Sequence, residues 1–156
     1  MKTLILYATK HGAAHEIAQR IAEIIGGAAV HDLRTNGAPA VSEFDCVIIG
    51  SSVYVGSIHK EAKAFLTKNA DSLSGKTLGL FLSGLEADKE ETLFKSNFSA
   101  DILNMVKAKS FLGGIFDPKK AGVFERFVMK AAAKQSAYIS TISDEKIRQF
   151  AEAMVK

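Results

Sequence analysis

The first twenty-five residues constrain this chain more than any other stretch. TLILYA (residues 3–8) is an unbroken apolar run. It is far too short to cross a membrane and suits a strand buried on both faces. TKHGAA (residues 9–14) follows, small and polar and interrupted by Gly12. Ile17, Ala18, Ile21, Ala22, Ile24 and Ile25 then recur at helical spacing. A buried strand, a tight Gly-bearing turn and a helix start together form a socket for an anion. Orphan backbone amides and the positive end of the helix dipole both face whatever sits there. The expected ligand is a phosphate ester.

The pattern narrows which ester. The triphosphate-binding motif GxxxxGK[ST] is absent, and the turn lacks the GxGxxG of dinucleotide sites. That leaves a mononucleotide bound outside the carboxyl edge of a parallel sheet. The rest of the chain is compatible with such a sheet. Strand and helix patterns alternate throughout, which predicts an α/β doubly wound fold. AAVHDL (residues 28–33) reads as strand two, CVIIG (46–50) as strand three, TLGLFLS (77–83) as strand four and SFLGGI (110–115) as strand five. Helices are expected over residues 60–69, over residues 93–106, and from Ser143, an N-cap followed by Asp144 and Glu145. The face of that last helix directed inward is Ile147, Phe150, Ala151 and Met154. GG at 26–27 suits the end of helix one. The strand count predicts five parallel strands in the order 2-1-3-4-5, with the ligand at the switch between strands one and three. One domain over residues 1–156 is expected, with a substantial core.

Three loops then leave the carboxyl ends of strands one, three and four and converge on one crevice. The residues expected to hold the ligand follow directly. They are Thr9, Lys10, His11, Gly12, Ala13 and Ala14 on the first loop and Ser51, Ser52, Val53, Tyr54, Val55 and Gly56 on the second. Ser83, Gly84, Leu85 and Glu86 come from the third. Tyr54 offers a ring face for a flat heterocycle and Gly56 a backbone free to turn its carbonyl. Taken alone, Tyr54 and Gly56 also read as a half-buried aromatic and a turn glycine.

The first loop resembles the phosphate loop of the flavodoxin-like FMN proteins, whose pattern is approximately [ST]-x-x-G-x-T after an apolar strand. Thr9, Gly12 and Ala13 match it, and Ala14 stands where that family usually has Thr. The likeness extends over nearly the whole chain. More narrowly, TLILYATKHGAAHEIA, IGSSVYVGSIH (residues 49–59) and FERFVMK (residues 124–130) are similar to segments of the menaquinone-dependent protoporphyrinogen dehydrogenases. The resemblance implies FMN as a non-covalent cofactor. It also implies an oxidoreductase of porphyrin biosynthesis that oxidises protoporphyrinogen IX and passes electrons to a membrane quinone. The alternative is a flavodoxin-type electron-transfer protein with no substrate of its own, docking to redox partner proteins. Carrier flavodoxins are usually strongly acidic and sandwich the ring between aromatics. This chain carries net charge +3, has no Trp, and has no aromatic in the third loop. The charge and the lack of aromatics for a sandwich both favour the enzyme.

Residues 117–142 form a long connection for a compact domain, which marks a functional or inserted element. Phe124, Phe127, Val128 and Ala131 share one helical face there, and Arg126, Lys130 and Lys134 another. That pattern fits a surface helix packed on the sheet. It also fits, less simply, an interfacial helix meeting an anionic substrate or membrane. The remaining signals are weaker. Cys46 reads as a buried small hydrophobe, and a lone cysteine allows no intrachain disulfide. With no leader pattern before the first strand, the expected location is cytoplasmic, with peripheral membrane contact. His11 and His15 lack a third ligand at metal-binding spacing, so no metal is expected. His59 reads either as a proton donor beside the ring or as a helix-end histidine. No basic cluster with interleaved aromatics points to nucleic acid.

Overall fold

A computed structural model describes residues 1–120, 122 and 137–156. The basic and apolar faces expected from Phe124 to Lys134 lie outside the described residues.

Burial along each strand places it in the sheet. All six residues of β1 (Thr3–Ala8) are buried, as an apolar run covered on both faces must be. β3 (Cys46–Tyr54) and β5 (Thr77–Ser83) are nearly as enclosed. β2 (Ala29–Asp32) is half-buried throughout, and β6 (Val106–Phe111) alternates, because these two are the edges. The five run parallel in the order β2-β1-β3-β5-β6, the doubly wound order expected from the strand pattern. Two short antiparallel additions were not foreseen. β4 (Ser57–Ile58) folds back on the end of β3, and β7 (Ile115–Phe116) pairs with β8 (Ile139–Ser140).

Helices cover both faces. On one side α1 (Ala13–Ile25) and α5 (Asp144–Val155) bury Ile17, Ile21, Ile147, Phe150, Ala151 and Met154 against Ile5, Ile48 and Phe81. The inward face expected of the last helix is therefore the buried one, and Ser143 caps it by accepting from the Lys146 amide at 3.3 Å. On the other side α2 (Lys60–Leu73), α3 (Glu90–Asn97) and α4 (Ala100–Met105) pack Leu66, Leu73, Leu93, Phe94 and Ile102 on Leu4, Leu6, Val47 and Leu80. Cys46 is fully buried, and burial pushes its thiol pKa up, so it stays protonated and inert.

Several boundaries differ from the sequence reading, each for a local reason. The helix expected over residues 93–106 is two, broken at Phe98 and Ser99. Ser99 takes the N-cap role, its hydroxyl accepting from the Ile102 amide at 3.2 Å. Strand five consequently begins at Val106 and ends at Phe111, leaving Gly113 and Gly114 outside it. α2 continues past residue 69 because Leu73 anchors its last turn in the core. β3 runs on to Tyr54, since pairing with β4 turns the expected second loop into a hairpin.

Candidate functional site

The crevice is built where β1, β3 and β5 end. At the first loop, Gly12 takes φ +95° and serves as the N-cap of α1 with no side-chain capping bond. Glycine reaches that conformation without the penalty a Cβ imposes. A Cβ built there would meet nothing within 4 Å, so the space above the loop is open. The first-turn amides of α1 have no acceptor within the helix, and the dipole's positive end lies with them. Ala13 and Ala14 are buried, Ala14 completely, so both offer a ligand only backbone N–H groups. The arrangement suits a phosphate on geometric grounds.

Side chains lock this loop to its neighbours. The Thr9 hydroxyl accepts from the Gly12 amide at 3.1 Å and lies 3.0 Å from the Ser52 hydroxyl, tying the first loop to β3. Arg34, just past β2, donates to the Thr9 carbonyl. Its amide is held by the Asp32 carboxylate at 2.8 Å. Lys10 lies with its ammonium 5.2 Å from the centre of the Tyr54 ring, a cation–π contact between the first and second loops. His15 meets the Tyr7 hydroxyl through Nδ1 at 2.7 Å.

The second loop is a two-residue hairpin. Val53 pairs with Ile58 and Tyr54 with Ser57, leaving Val55 and Gly56 at φ +48° and +75°. Positive φ at both central residues defines a type I′ turn. Tyr54 is 43% exposed and Val55 74%, so both project from the tip. Val53 instead packs on the core. Ser51 is buried, and its hydroxyl accepts from the His59 amide at 3.0 Å and donates to the Ser52 carbonyl at 2.9 Å. It splices the hairpin to α2 and is already committed. In the third loop Ser83 is buried, Gly84 and Leu85 are half-buried, and Glu86 is exposed in an ion pair with Lys89 at 2.8 Å. A Cβ on Gly84 would come within 3.8 Å of the Val53 side chain, so the second and third loops touch at their base.

Among the described residues, two openings flank the first loop. A cleft of about 470 Å³ lies between the start of α1 and the β7–β8 pair, lined by His11, Gly12, His15, Asp117, Lys120 and Tyr138 among others. A second, of about 200 Å³, is lined by Lys10, Tyr54, Ser57, Ile58 and His59. Burial lowers the His59 pKa below its ordinary value; Glu61 opposes the shift, while Arg34 and Lys10 add to it. Burial thus favours the neutral imidazole of His59. The sign of its effect on stability follows. As pH falls through the unfolded value of about 6.5, the unfolded chain takes up a proton that the folded one resists. Stability should thus decline from pH 7 to 5, and His59→Gln should flatten that decline in urea titrations. An unchanged slope would show that His59 does not contribute.

Residue patterns alone missed Arg34, Asn97 and the Gly113–Gly114 pair. Arg34 had a topological signal, because β2 lies parallel to β1 and must end at the same edge. Asn97 signalled only as a weak helix former ahead of the break. A Cβ on Gly114 would stand 2.7 Å from the Gly84 carbonyl oxygen, a backbone approach that appears only once the chain is folded.

The sequence matches the flavodoxin domain family over residues 4–142. It is 33% identical over 95 residues to protoporphyrinogen IX dehydrogenase [quinone] of Escherichia coli strain K12, a match covering 58% of this chain and 52% of that protein. The match thus spans about half the length of this curated relative. Among solved structures, a short-chain flavodoxin associated with a non-canonical PDU bacterial microcompartment superposes with a TM-score of 0.65 at 16% identity. It covers 99% of this chain and 97% of that one. A flavoprotein in complex with FMN from Lactobacillus acidophilus NCFM gives a TM-score of 0.54 at 15% identity, covering 72% and 91%. These structures share the fold. With the family match running through all three loops, the chain belongs to the flavodoxin domain family.

Proposed function

We propose that the protein is an FMN-dependent oxidoreductase of the protoporphyrinogen dehydrogenase type, passing electrons to a quinone. FMN is the cofactor, and the first loop fits its phosphate: an uncapped helix start, open space above Gly12, and the Thr9 and Ser52 hydroxyls side by side. Bound FMN supplies a ring that takes up a hydride or electrons. The protein's part is to hold and orient it. Amides of Ala13 and Ala14 bind the phosphate, Tyr54 offers an aromatic face, and Gly84, Leu85 and Glu86 border the other side.

The observation that carries the enzyme reading is this asymmetry. Tyr54 projects from the second loop, and the third loop presents no aromatic opposite it. A second flat molecule then has a face on which to lie. The Escherichia coli relative, named for protoporphyrinogen IX and quinone, supports the same substrate class. Arg126, Lys130 and Lys134 supply the charge for carboxylates or an anionic membrane surface. No described helix is long and apolar enough to cross a membrane.

Anaerobic mixing of the FMN-loaded protein with protoporphyrinogen IX, with and without a menaquinone analogue, tests the proposal. Bleaching of the flavin absorbance on mixing, and sustained turnover only with the quinone, are expected. No bleaching, together with two well-separated one-electron potentials in a redox titration, would instead identify an electron carrier. The near full-length likeness to a short-chain flavodoxin keeps that second reading in view.

A further inference from the structure

We propose that Asn97 is a positioning residue that holds the flavin-side hairpin in a strained conformation, so that Tyr54 is presented before FMN arrives. The inference rests on the FMN reading above. Its starting point is Val55, at φ +48°. A β-branched residue is a genuine outlier in that region, where Asn, Asp and Gly are the usual occupants of a type I′ turn. Val55 gains nothing from packing in return, since it is 74% exposed. The turn therefore needs an outside restraint.

Asn97 supplies it from the last turn of α3. Its Nδ2 donates to the Gly56 carbonyl at 3.0 Å, and its Oδ1 accepts from the Ile58 amide at 3.0 Å. One planar amide thus grips the hairpin on both sides of Ser57. The grip is itself anchored, because Nδ2 also donates to the Leu93 carbonyl at 2.9 Å. α3 is seated by the fully buried Phe94, so the restraint reaches back to the core. Only an amide has a donor and an acceptor at this spacing; Asn97→Asp would remove the donor and Asn97→Leu both groups.

A double-mutant cycle on the full chain tests this. Val55→Asn replaces the strained residue by the one most favoured before Gly in this turn. Asn97→Leu should weaken FMN binding at least tenfold and speed hydrogen exchange at the Ser57 amide of the apo-protein at least tenfold. In the Val55→Asn background the same change should cost less than threefold in both readouts. Equal losses in the two backgrounds, or wild-type behaviour of Asn97→Leu, would overturn the proposal. Asn97→Asp keeps the volume and one bond and should fall between, which covers a leucine variant that fails to fold. The exchange readout needs no FMN, so failure of the cofactor reading shows separately, in the wild-type titration.

Discussion

Gly12→Val should leave a folded protein whose affinity for FMN is at least 100-fold weaker, a loss of about 2.7 kcal/mol. Two effects combine at this residue. Its φ of +95° is strained for any side chain, which costs about 1–3 kcal/mol of stability. A domain with a typical reserve of about 5–15 kcal/mol survives that. The binding loss has a different origin. The new side chain projects into the open space above the loop, the place proposed for the phosphate. Gly27→Val separates the two effects. Gly27 also has positive φ and open surroundings, but it lies beyond the opposite end of α1. That variant should melt earlier and still quench flavin fluorescence at wild-type concentrations. Titrating both apo-variants with FMN, alongside thermal melts, checks the pair. Wild-type affinity in Gly12→Val would place the phosphate elsewhere.

The loop around Gly12 was legible because its signal is local. An apolar run, a glycine and a helical period lie within consecutive residues, and no distant contact is needed to read them. The same holds for α5, where Ser143 and the spacing of Ile147, Phe150, Ala151 and Met154 mark both its start and its buried face. Strand order was legible for another reason: parallel strands joined by helices admit few arrangements. What stayed hidden depends on partners far along the chain. The extension of β3 to Tyr54 requires β4 to fold back on it. The break between α3 and α4 was readable in principle from Ser99, but the apolar spacing ran across it and masked the cap. Arg34 and Asn97 become site residues only through bonds to Thr9 and Gly56. Of the residues expected around the ligand, Ser51 and Val53 serve the hairpin's own architecture. Lys10, His11, Gly12 and Tyr54 line the openings beside the first loop, and Thr9 and Ser52 tie that loop to β3.

Gly50→Ala should have the largest effect on stability. Gly50 sits in β3, one residue before Ser51, directly opposite Phe81 of β5. An added Cβ would stand 1.9 Å from the Phe81 ring, far inside any tolerable contact. Phe81 has nowhere to go. It is fully buried, and its ring meets Phe150 of α5 edge-to-face with centroids 6.4 Å apart. The missing side chain in the middle of a buried strand thus makes room for a large one on its neighbour, as close-packed interiors require. Relief demands that β3 and β5 part or that α5 lift, and overpacking of this kind costs about 1–3 kcal/mol or more. The strain would reach the crevice, because these two strands carry the second and third loops. Gly50→Ala should therefore lower the urea midpoint and weaken FMN binding together. Phe81→Leu alone leaves a cavity and destabilises by itself. Combined with Gly50→Ala it should recover most of the lost stability, since the leucine leaves room for the new methyl. Additive losses in the double variant would mean that the two residues do not compete for one space.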